Sequence, residues 1–214
     1  MEHLNDLVKL RSLEIQECRQ ISNTGLENLS RLIHLESLKI NHSPGRSAIT
    51  LAGVEKLKTL ASLKELHLSG LSDVGDAALS HLAGLTNLTS LSVQFMDITR
   101  DGLAQLKRFK RLEKLSLTGN EIDETGLPHL AGLTNLTSLS VSHTKITSGG
   151  LAQLKGLKRL EELDLSGNKG INKAGIKHLQ ALTNLKRLNL RNTGISSSDK
   201  SQIESALPTT KVSF

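Results

Sequence analysis

The chain has 214 residues and a formal net charge of +6, which is too small to indicate nucleic-acid binding by itself. About one residue in five is leucine, there is no Trp or Tyr, and only 3 residues are Phe, so the core is expected to repeat one small aliphatic packing unit. The single cysteine excludes an intramolecular disulfide and a Cys₄ or Cys₂His₂ zinc site.

No stretch approaches 18 consecutive apolar residues, so the sequence predicts no membrane-spanning helix. The first residues, MEHLNDLVKLRSLEI, lack the apolar segment and cleavage site of a secretory signal. We therefore expect a cytoplasmic protein, or one delivered into a host cell if it is an effector.

One motif, L-x-x-L-x-[LIV], recurs along the whole chain at intervals of 24 to 28 residues. Because side chains alternate along a strand, its last two apolar residues share one face of a short strand. A degenerate ninth copy, Val212-Ser213-Phe214, ends the chain. The eight full copies are Leu10-Leu13-Ile15, Leu35-Leu38-Ile40, Leu63-Leu66-Leu68, Leu88-Leu91-Val93, Leu112-Leu115-Leu117, Leu136-Leu139-Val141, Leu160-Leu163-Leu165 and Leu185-Leu188-Leu190.

After each strand comes a loop with Ile or Val, and then apolar residues at every third position, as in Leu103-Leu106-Phe109-Leu112. That spacing predicts one buried stripe on an α-helix or a 3₁₀ helix. A unit this small buries its apolar face only by stacking on its neighbours. We therefore predict a right-handed α/β solenoid with about nine parallel strands on one side and helices on the other.

The pattern L-x-x-L-x-L-x-x-[NCT]-x-[LI] resembles the leucine-rich repeat, in the bacterial form of about 24 residues, and is similar to the cysteine-type repeats of F-box receptors. The resemblance implies a horseshoe with a concave sheet and convex helices. It also implies that the ninth position of each repeat satisfies buried loop backbone. Because Leu71 and Met96 cannot do so, we expect less regular loops in repeats three and four. The ninth positions are Cys18, Ser43, Leu71, Met96, Asn120, Thr144, Asn168 and Thr193.

A second period of 48 residues, twice the length of one repeat, is also present, since HLAGLTNLTSLSV occurs at both 81–93 and 129–141. With no linker in the series, residues 1–214 are predicted to form one domain of about eight repeats with a closing segment at 195–214. The first repeat is partial and has no cap, so we expect an apolar edge that favours self-association or an upstream covering segment. Its poorly covered residues are Leu4, Leu7, Leu10 and Leu13.

Catalysis has little support, because the chain has no G-x-S-x-G, P-loop, H-E-x-x-H or G-x-G-x-x-G motif. Cys18 is interpreted as a buried structural residue, and no cofactor or metal is expected. The basic residues before alternate strands are interpreted mainly as a solvated helix side, with an acidic partner as the alternative. Nucleic acid is disfavoured because aromatic interleaving for base stacking is lacking, with Phe109 the one ring among these residues.

The resemblance implies that the concave sheet face is the recognition surface, formed by the residues between and just after the conserved strand positions. Its centre is small and polar, with charges towards the ends. Phe95 is either an exposed aromatic at the rim or a buried loop filler, with equal weight. The predicted partner-binding residues are Glu14, Gln16, Lys39, Asn41, His67, Ser92, Gln94, Phe95, Ser116, Thr118, Ser140, His143, Asp164, Asn189 and Arg191.

Three functions follow. The preferred one is a non-enzymatic module that binds an unidentified protein partner on the concave face. The second is the substrate-recognition domain of a larger bacterial effector enzyme, such as a ubiquitin ligase. The third is a GTPase-activating protein, for which Arg46 is a weak candidate catalytic arginine.

Overall fold

The sheet is one continuous layer of nine parallel strands in chain order, in a computed structural model that describes residues 7–17, 20–42 and 47–214. Every neighbour in the sheet is therefore also the neighbour in sequence. The predicted strand number, direction and order are confirmed. The strands are β1 Ser12–Gln16, β2 Ser37–Asn41, β3 Glu65–Ser69, β4 Ser90–Gln94, β5 Lys114–Ser116, β6 Ser138–Ser140, β7 Glu162–Asp164, β8 Arg187–Asn189 and β9 Lys211–Ser213.

The register aligns the middle leucine of every repeat, so that Leu115 lies beside Leu139 and Leu139 beside Leu163. These leucines are buried against the helices, and the residue after each of them therefore faces the other side of the sheet. A slip of one residue would turn the whole buried row to solvent, which fixes the register strongly.

Helical segments cover the face of the sheet that carries the leucines. Between Leu91 and Leu163, where the repeats are 24 residues long, they are mainly 3₁₀, because a 3₁₀ helix spans a given length with fewer residues than an α-helix. The α-helices are α1 Asn23–Leu29, α2 Leu51–Lys56, α3 Ala77–Leu82, α4 Arg100–Leu103, α5 Ile176–Leu179 and α6 Lys200–Ala206. The 3₁₀ segments are Leu57–Thr59, Ala104–Arg108, Leu127–Leu130, Gly150–Gly156, Lys173–Gly175 and Ser197–Asp199.

One aliphatic core runs through all the described repeats, and Phe109 is its one fully buried aromatic residue among those described. The core thins out at the N-terminal end, where Leu7 is 47% and Val8 50% exposed. Leu10 and Leu13 are half-buried, whereas Leu4 lies outside the described residues. Among the described residues, the apolar edge beside β1 is thus only partly covered.

Buried asparagines hold the loops that follow the strands, and each serves two neighbouring repeats. The Asn120 amide donates to the carbonyl oxygens of Val93 (2.7 Å) and Leu117 (2.9 Å). Its Oδ1 accepts the backbone N–H groups of Met96 and Ile98, both at 3.1 Å. The loop of repeat four is therefore held by a side chain of repeat five, and it has the less regular backbone that the sequence predicts, with Asp97 at a φ of 55°.

Asn168 repeats this arrangement one duplication later, donating to Val141 and Leu165 and accepting the N–H of Thr144. The loop of repeat three follows a different course, with Gly75 in the left-handed region at a φ of 57°. Two further ninth-position residues, Cys18 and Ser43, lie outside the described residues.

Candidate recognition surface

The sheet face opposite the helices, which we call the concave face, carries the predicted site residues in ordered rows. The register confirms the central row, in which each residue is the direct strand neighbour of the next. Adjacent parallel strands are about 4.8 Å apart, so the row forms one continuous line of side chains. Its predicted members are Glu14, Lys39, His67, Ser92, Ser116, Ser140, Asp164 and Asn189.

A second row runs parallel to the first, two residues further along each strand. In β1 to β4 its members are strand partners, and beyond β4 backbone hydrogen bonds continue the line. The N–H of Phe95 donates to Thr118 O, and that of Gly119 donates to Ser142 O. The predicted members of this row are Gln16, Asn41, Gln94, Thr118 and Arg191.

Six side chains at the centre of the concave face form a single hydrogen-bonded network. Gln94 Nε2 donates to the hydroxyls of Ser92 (2.9 Å) and Ser116 (3.0 Å). Thr118 Oγ1 lies 3.2 Å from Ser116 Oγ. The same oxygen lies 2.9 Å from Ser140 Oγ and 3.0 Å from Ser142 Oγ. The network fixes these short side chains in place, so the floor of the face is flat, uncharged and ordered before any partner binds.

Phe95 and His143 stand at the rim, directly after the second row, and both are exposed. Phe95 is 39% exposed, which decides between the two interpretations of this residue: it is not a buried loop filler. Both residues have a φ of 51°, in the left-handed region that bulky side chains rarely adopt. Such strain is found where the surrounding structure, or function, requires it.

Each of these two rings lies on a glycine of the following repeat. A Cβ placed on Gly119 would be 2.3 Å from the Phe95 ring, and one on Gly167 would be 2.5 Å from the His143 ring. Gly119 and Gly167 are themselves left-handed, with φ of 70° and 76°. The rim therefore alternates ring and glycine, so that each ring has the glycine beneath it and its outer side towards solvent.

Sequence reasoning found Phe95 and His143 but missed this alternation. The signal was present, because the 48-residue period that duplicates HLAGLTNLTSLSV also places glycine and a larger residue in turn at the rim. The sequence does not show that the larger residues share the left-handed backbone of the glycines. That follows from the hydrogen-bonded loop, which imposes the left-handed conformation on the residue at this position after each of the strands β3 to β8.

The N-terminal end of the concave face is charged. Lys39 Nζ lies 3.3 Å from Glu65 Oε1, and Ser37 Oγ donates to Glu65 at 2.7 Å. The Ser37 hydrogen bond lowers the pKa of Glu65, and the Lys39 ammonium lowers it further. Burial lowers the pKa of His67, with Lys39 adding to the effect. His67 is therefore neutral at pH 7, between an acid and a base that are both charged.

At the C-terminal end, β6 to β9 surround a shallow depression of about 440 Å³. Asp164, Asn189 and Arg191 line it, and Asp164 Oδ1 accepts the N–H of Ser166 at 2.9 Å. Arg187 and Glu162 form an ion pair at its edge. Within the described residues, Arg191 has no carboxylate partner, so its guanidinium is available to a ligand.

In the part of the chain that the structure describes, no arrangement of side chains supports the catalytic or metal-binding candidates. Across residues 7–17, 20–42 and 47–214, no three His, Cys, Asp or Glu side chains come together in a way that could hold a metal ion. Cys18 and Arg46, the candidate thiol and the candidate catalytic arginine, lie outside the described residues. In the same part of the chain, none of the helices has the length and apolar character needed to cross a bilayer.

Two family models match the sequence, and both describe the leucine rich repeat. One covers residues 110–169 and the other residues 7–30. No protein of curated function is significantly similar to the chain in sequence.

Solved structures share the fold. An internalin from Listeria monocytogenes superposes with a TM-score of 0.74 at 21% identity, covering 99% of this chain and 56% of the internalin chain. A leucine-rich repeat protein from Leptospira interrogans gives a TM-score of 0.56 at 21% identity, covering all of this chain and 62% of that one. The chain thus spans somewhat more than half the length of these two structures. At this identity the similarity shows a common fold.

Proposed function

Because the chain is a leucine-rich repeat protein, we propose that it is a non-enzymatic module that binds a protein partner on its concave face and the adjoining rim. The observation that carries the proposal is the combination of an ordered polar floor with an exposed aromatic ring, on left-handed backbone, beside it. We place this binding in the cytoplasm, or in a host cell if the protein is delivered there as an effector.

The floor favours close approach of a partner backbone. Its serine and threonine hydroxyls are already held by one another, so little rotamer entropy remains to be lost on binding. Short side chains also leave room for a larger residue from the partner. A partner lying across several repeats contacts the same type of floor at each one.

Phe95 supplies the aromatic anchor that the floor lacks. Buried aromatic side chains at the centre of an interface contribute more binding energy than the polar contacts around them. Its ring is supported by Gly119 and its backbone is fixed in the left-handed region, so it is presented in one orientation. The charged ends of the face, with Lys39 and Glu65 at one end and Arg191 at the other, set the orientation of the partner.

The test begins with an aromatic photo-crosslinking amino acid placed at His143, an exposed ring at the rim of the concave face, and, as the control, at Lys177 on the helix side. Both proteins are irradiated in the same cell lysates. We expect partners that crosslink from position 143 and not from position 177. A partner captured equally well from both positions, or from the helix side alone, would contradict concave-face binding.

The captured partner then allows affinities to be measured. We expect Phe95→Ala and Ser116→Arg each to weaken binding by more than about 1 kcal/mol, which marks a significant interface residue. The helix-side variant Lys110→Glu/Arg111→Glu should have a smaller effect. If this helix-side variant abolishes binding while both concave variants leave it intact, the assignment of the surface is wrong.

Phe95→Gly separates function from stability. Glycine adopts the left-handed conformation without the cost of about 1–2 kcal/mol that a larger L-residue bears. Because this gain offsets part of the lost ring contact, we expect the free energy of unfolding to change by less than about 1 kcal/mol. Partner binding should nevertheless be weakened as much as it is in Phe95→Ala.

A further inference from the structure

A second surface lies on the edge of the solenoid where the helices lead into the strands. It consists of two groups of exposed cations, which we call the basic ridges, on repeats that are two apart. Buried leucines and Phe109 lie between these residues in sequence, which keeps the cationic side chains directed outward. The first ridge is Lys107, Arg108, Lys110 and Arg111, and the second is Lys155, Lys158 and Arg159.

The repeat between the ridges is small and neutral at the same positions, where it carries Ala131, Gly132, Thr134 and Asn135. Its 3₁₀ segment Leu127–Leu130 packs between those of the two ridges. A Cβ added to Gly132 would meet no atom within 4 Å. The two ridges are thus separated by one repeat with short, uncharged side chains, which we call the trough, about 10 Å across at twice the distance between neighbouring parallel strands.

Asparagines on the neutral repeats hold the arginines of the ridges. Asn135 Nδ2 donates to the carbonyl oxygen of Lys110 at 3.0 Å, and Arg159 Nη1 donates to Asn135 Oδ1 at 3.0 Å. Asn135 therefore ties the second ridge to the first. Arg111 Nη1 donates in the same way to Asn87 Oδ1 at 3.3 Å.

No carboxylate neutralises these seven cations within the part of the chain that the structure describes. Elsewhere on the same edge the cations are paired, since Lys64 lies 2.6 Å from Glu36 and Lys186 lies 2.8 Å from Glu161. Residues 103–112 and 150–160 contain no acid, and the nearest acids in sequence on the C-terminal side are Glu113 and Glu161, which follow them directly. The ridges are therefore a local concentration of positive charge with arginines already oriented.

We propose that the basic ridges and the trough between them dock an acidic, extended segment of a protein partner, separately from concave-face binding. Arginine and carboxylate form paired, charge-assisted hydrogen bonds, and an arginine already held in place loses less entropy when it makes them. An extended chain lying along the trough would place its carboxylates beside Arg159, which Asn135 holds there. Arg111 instead faces Asn87 on the outer side of the first ridge, and Lys158 donates to the Ala181 carbonyl oxygen.

The other polyanions fit this surface less well. Single-stranded nucleic acid is held by exposed aromatic rings that stack on its bases, and Phe109, the aromatic residue of the ridges, is buried. Stable binding to a bilayer adds apolar insertion to charge. The large exposed apolar residues of the described chain, Leu7, Val8, Ile33, Phe95 and Phe214, are not ridge residues.

The test measures fluorescence anisotropy of a labelled oligoglutamate peptide, with oligoglutamine as the uncharged control. We expect salt-sensitive binding of oligoglutamate alone. The variant Lys155→Gln/Lys158→Gln/Arg159→Gln should raise its Kd about tenfold or more. The variant Lys169→Gln/Lys177→Gln/Lys200→Gln makes the same change in net charge outside the ridges, so it should change the Kd by less than about threefold. Equal effects of the two triple variants would show attraction to net charge alone and overturn the proposal.

A second pair of variants leaves the charge unchanged. Asn135→Ala releases Arg159, and we expect it to weaken peptide binding about threefold. Asn184→Ala is the control, because the Asn184 amide donates to the Lys158 carbonyl at 2.7 Å and no described arginine donates to it. Thermal melts of both variants check that the fold is kept. No difference between them in peptide binding would overturn the role of the held arginines.

The same measurements with a DNA duplex and with phosphatidylserine vesicles decide the class of partner. Tighter binding to either one than to the peptide would overturn the choice of an acidic protein segment. Phe95→Ala, tested beside them, should leave peptide binding unchanged. The two proposed surfaces can therefore fail independently.

Discussion

The ring of Phe95 lies across the Cα of Gly119, so closely that a Cβ on this glycine would be 2.3 Å from two ring carbons. Phe95 belongs to repeat four and Gly119 to repeat five, and both have left-handed backbone. The glycine is therefore required twice, for its own φ of 70° and for the ring of its neighbour. An exposed side chain and a glycine one repeat away thus form one structural unit at the rim.

Gly119→Ala should therefore destabilise the protein by about 1–3 kcal/mol, from the left-handed backbone together with the displaced ring. Gly132→Ala is the matched control, because Gly132 has no positive φ and a Cβ there would meet no atom within 4 Å. We expect that variant to be neutral or slightly stabilising. Urea unfolding curves measure both changes. Equal loss of stability in the two variants would contradict the stacked arrangement.

The register of the sheet gives a second test on two adjacent residues. Leu139 is 1% exposed among the aligned leucines, whereas Ser140 faces the concave side. Leu139→Asp places an unpaired charge in the shared core and should cost more than about 4 kcal/mol, enough to prevent folding in a marginal solenoid. Ser140→Asp should cost less than about 1 kcal/mol, since the carboxylate accepts the neighbouring hydroxyls. Equal melting temperatures of the two variants would contradict the assigned strand register.

The loops provide a third test. Asn120 is 3% exposed and satisfies backbone groups of two repeats, so Asn120→Ala leaves several buried N–H and C=O groups unpaired. We expect a loss of about 2–4 kcal/mol in the free energy of unfolding. Asn189→Ala, on the half-exposed concave face, should cost less than about 0.5 kcal/mol. A small effect at Asn120 would mean that water replaces the side chain in these loops.

The strands and core were predictable from the sequence because one period fixes both. The strand leucines of successive repeats align with one another even where the loops between them differ in length. The central row from Glu14 to Asn189 could therefore be assigned residue by residue. The ring-on-glycine rim and the Asn135–Arg159 contact could not, since both depend on where side chains of different repeats meet. The loop of Met96 has the less regular backbone that the sequence predicts, with Asp97 at a φ of 55°, but the sequence does not show that its hydrogen bonds come from Asn120, in the next repeat.

The N-terminal edge leads to a prediction about association. Leu7 and Val8 are about half exposed beside β1, whose outer strand edge pairs with none of the other described strands. Apolar surface beside an open strand edge favours contact with a second copy or another covering segment. We expect the average molar mass measured by sedimentation to rise with protein concentration. The double variant Leu7→Ser/Val8→Ser should reduce this rise. Ile33→Ser, at an exposed apolar residue of the next repeat, is the control and should leave it unchanged.

The half-buried His67 predicts how stability depends on pH. Burial, with Lys39, lowers its pKa in the folded protein, against the opposing effect of Glu65 and Glu14, while the unfolded chain has the ordinary value of 6.5. Above that value both states are neutral and His67 contributes no pH dependence. As the pH falls through 6.5, the unfolded state takes up a proton first, so the free energy of unfolding decreases until the folded-state pKa is passed. His42, whose pKa burial also lowers, acts in the same direction.

We therefore expect Tm to fall between about pH 7 and pH 5, and His67→Gln to reduce this slope while leaving the part due to His42. His129→Gln, at an exposed histidine on the helix side, serves as the control and should keep the full slope. A wild-type Tm that stays constant over this range would show that His67 and His42 bind protons equally in the folded and unfolded states.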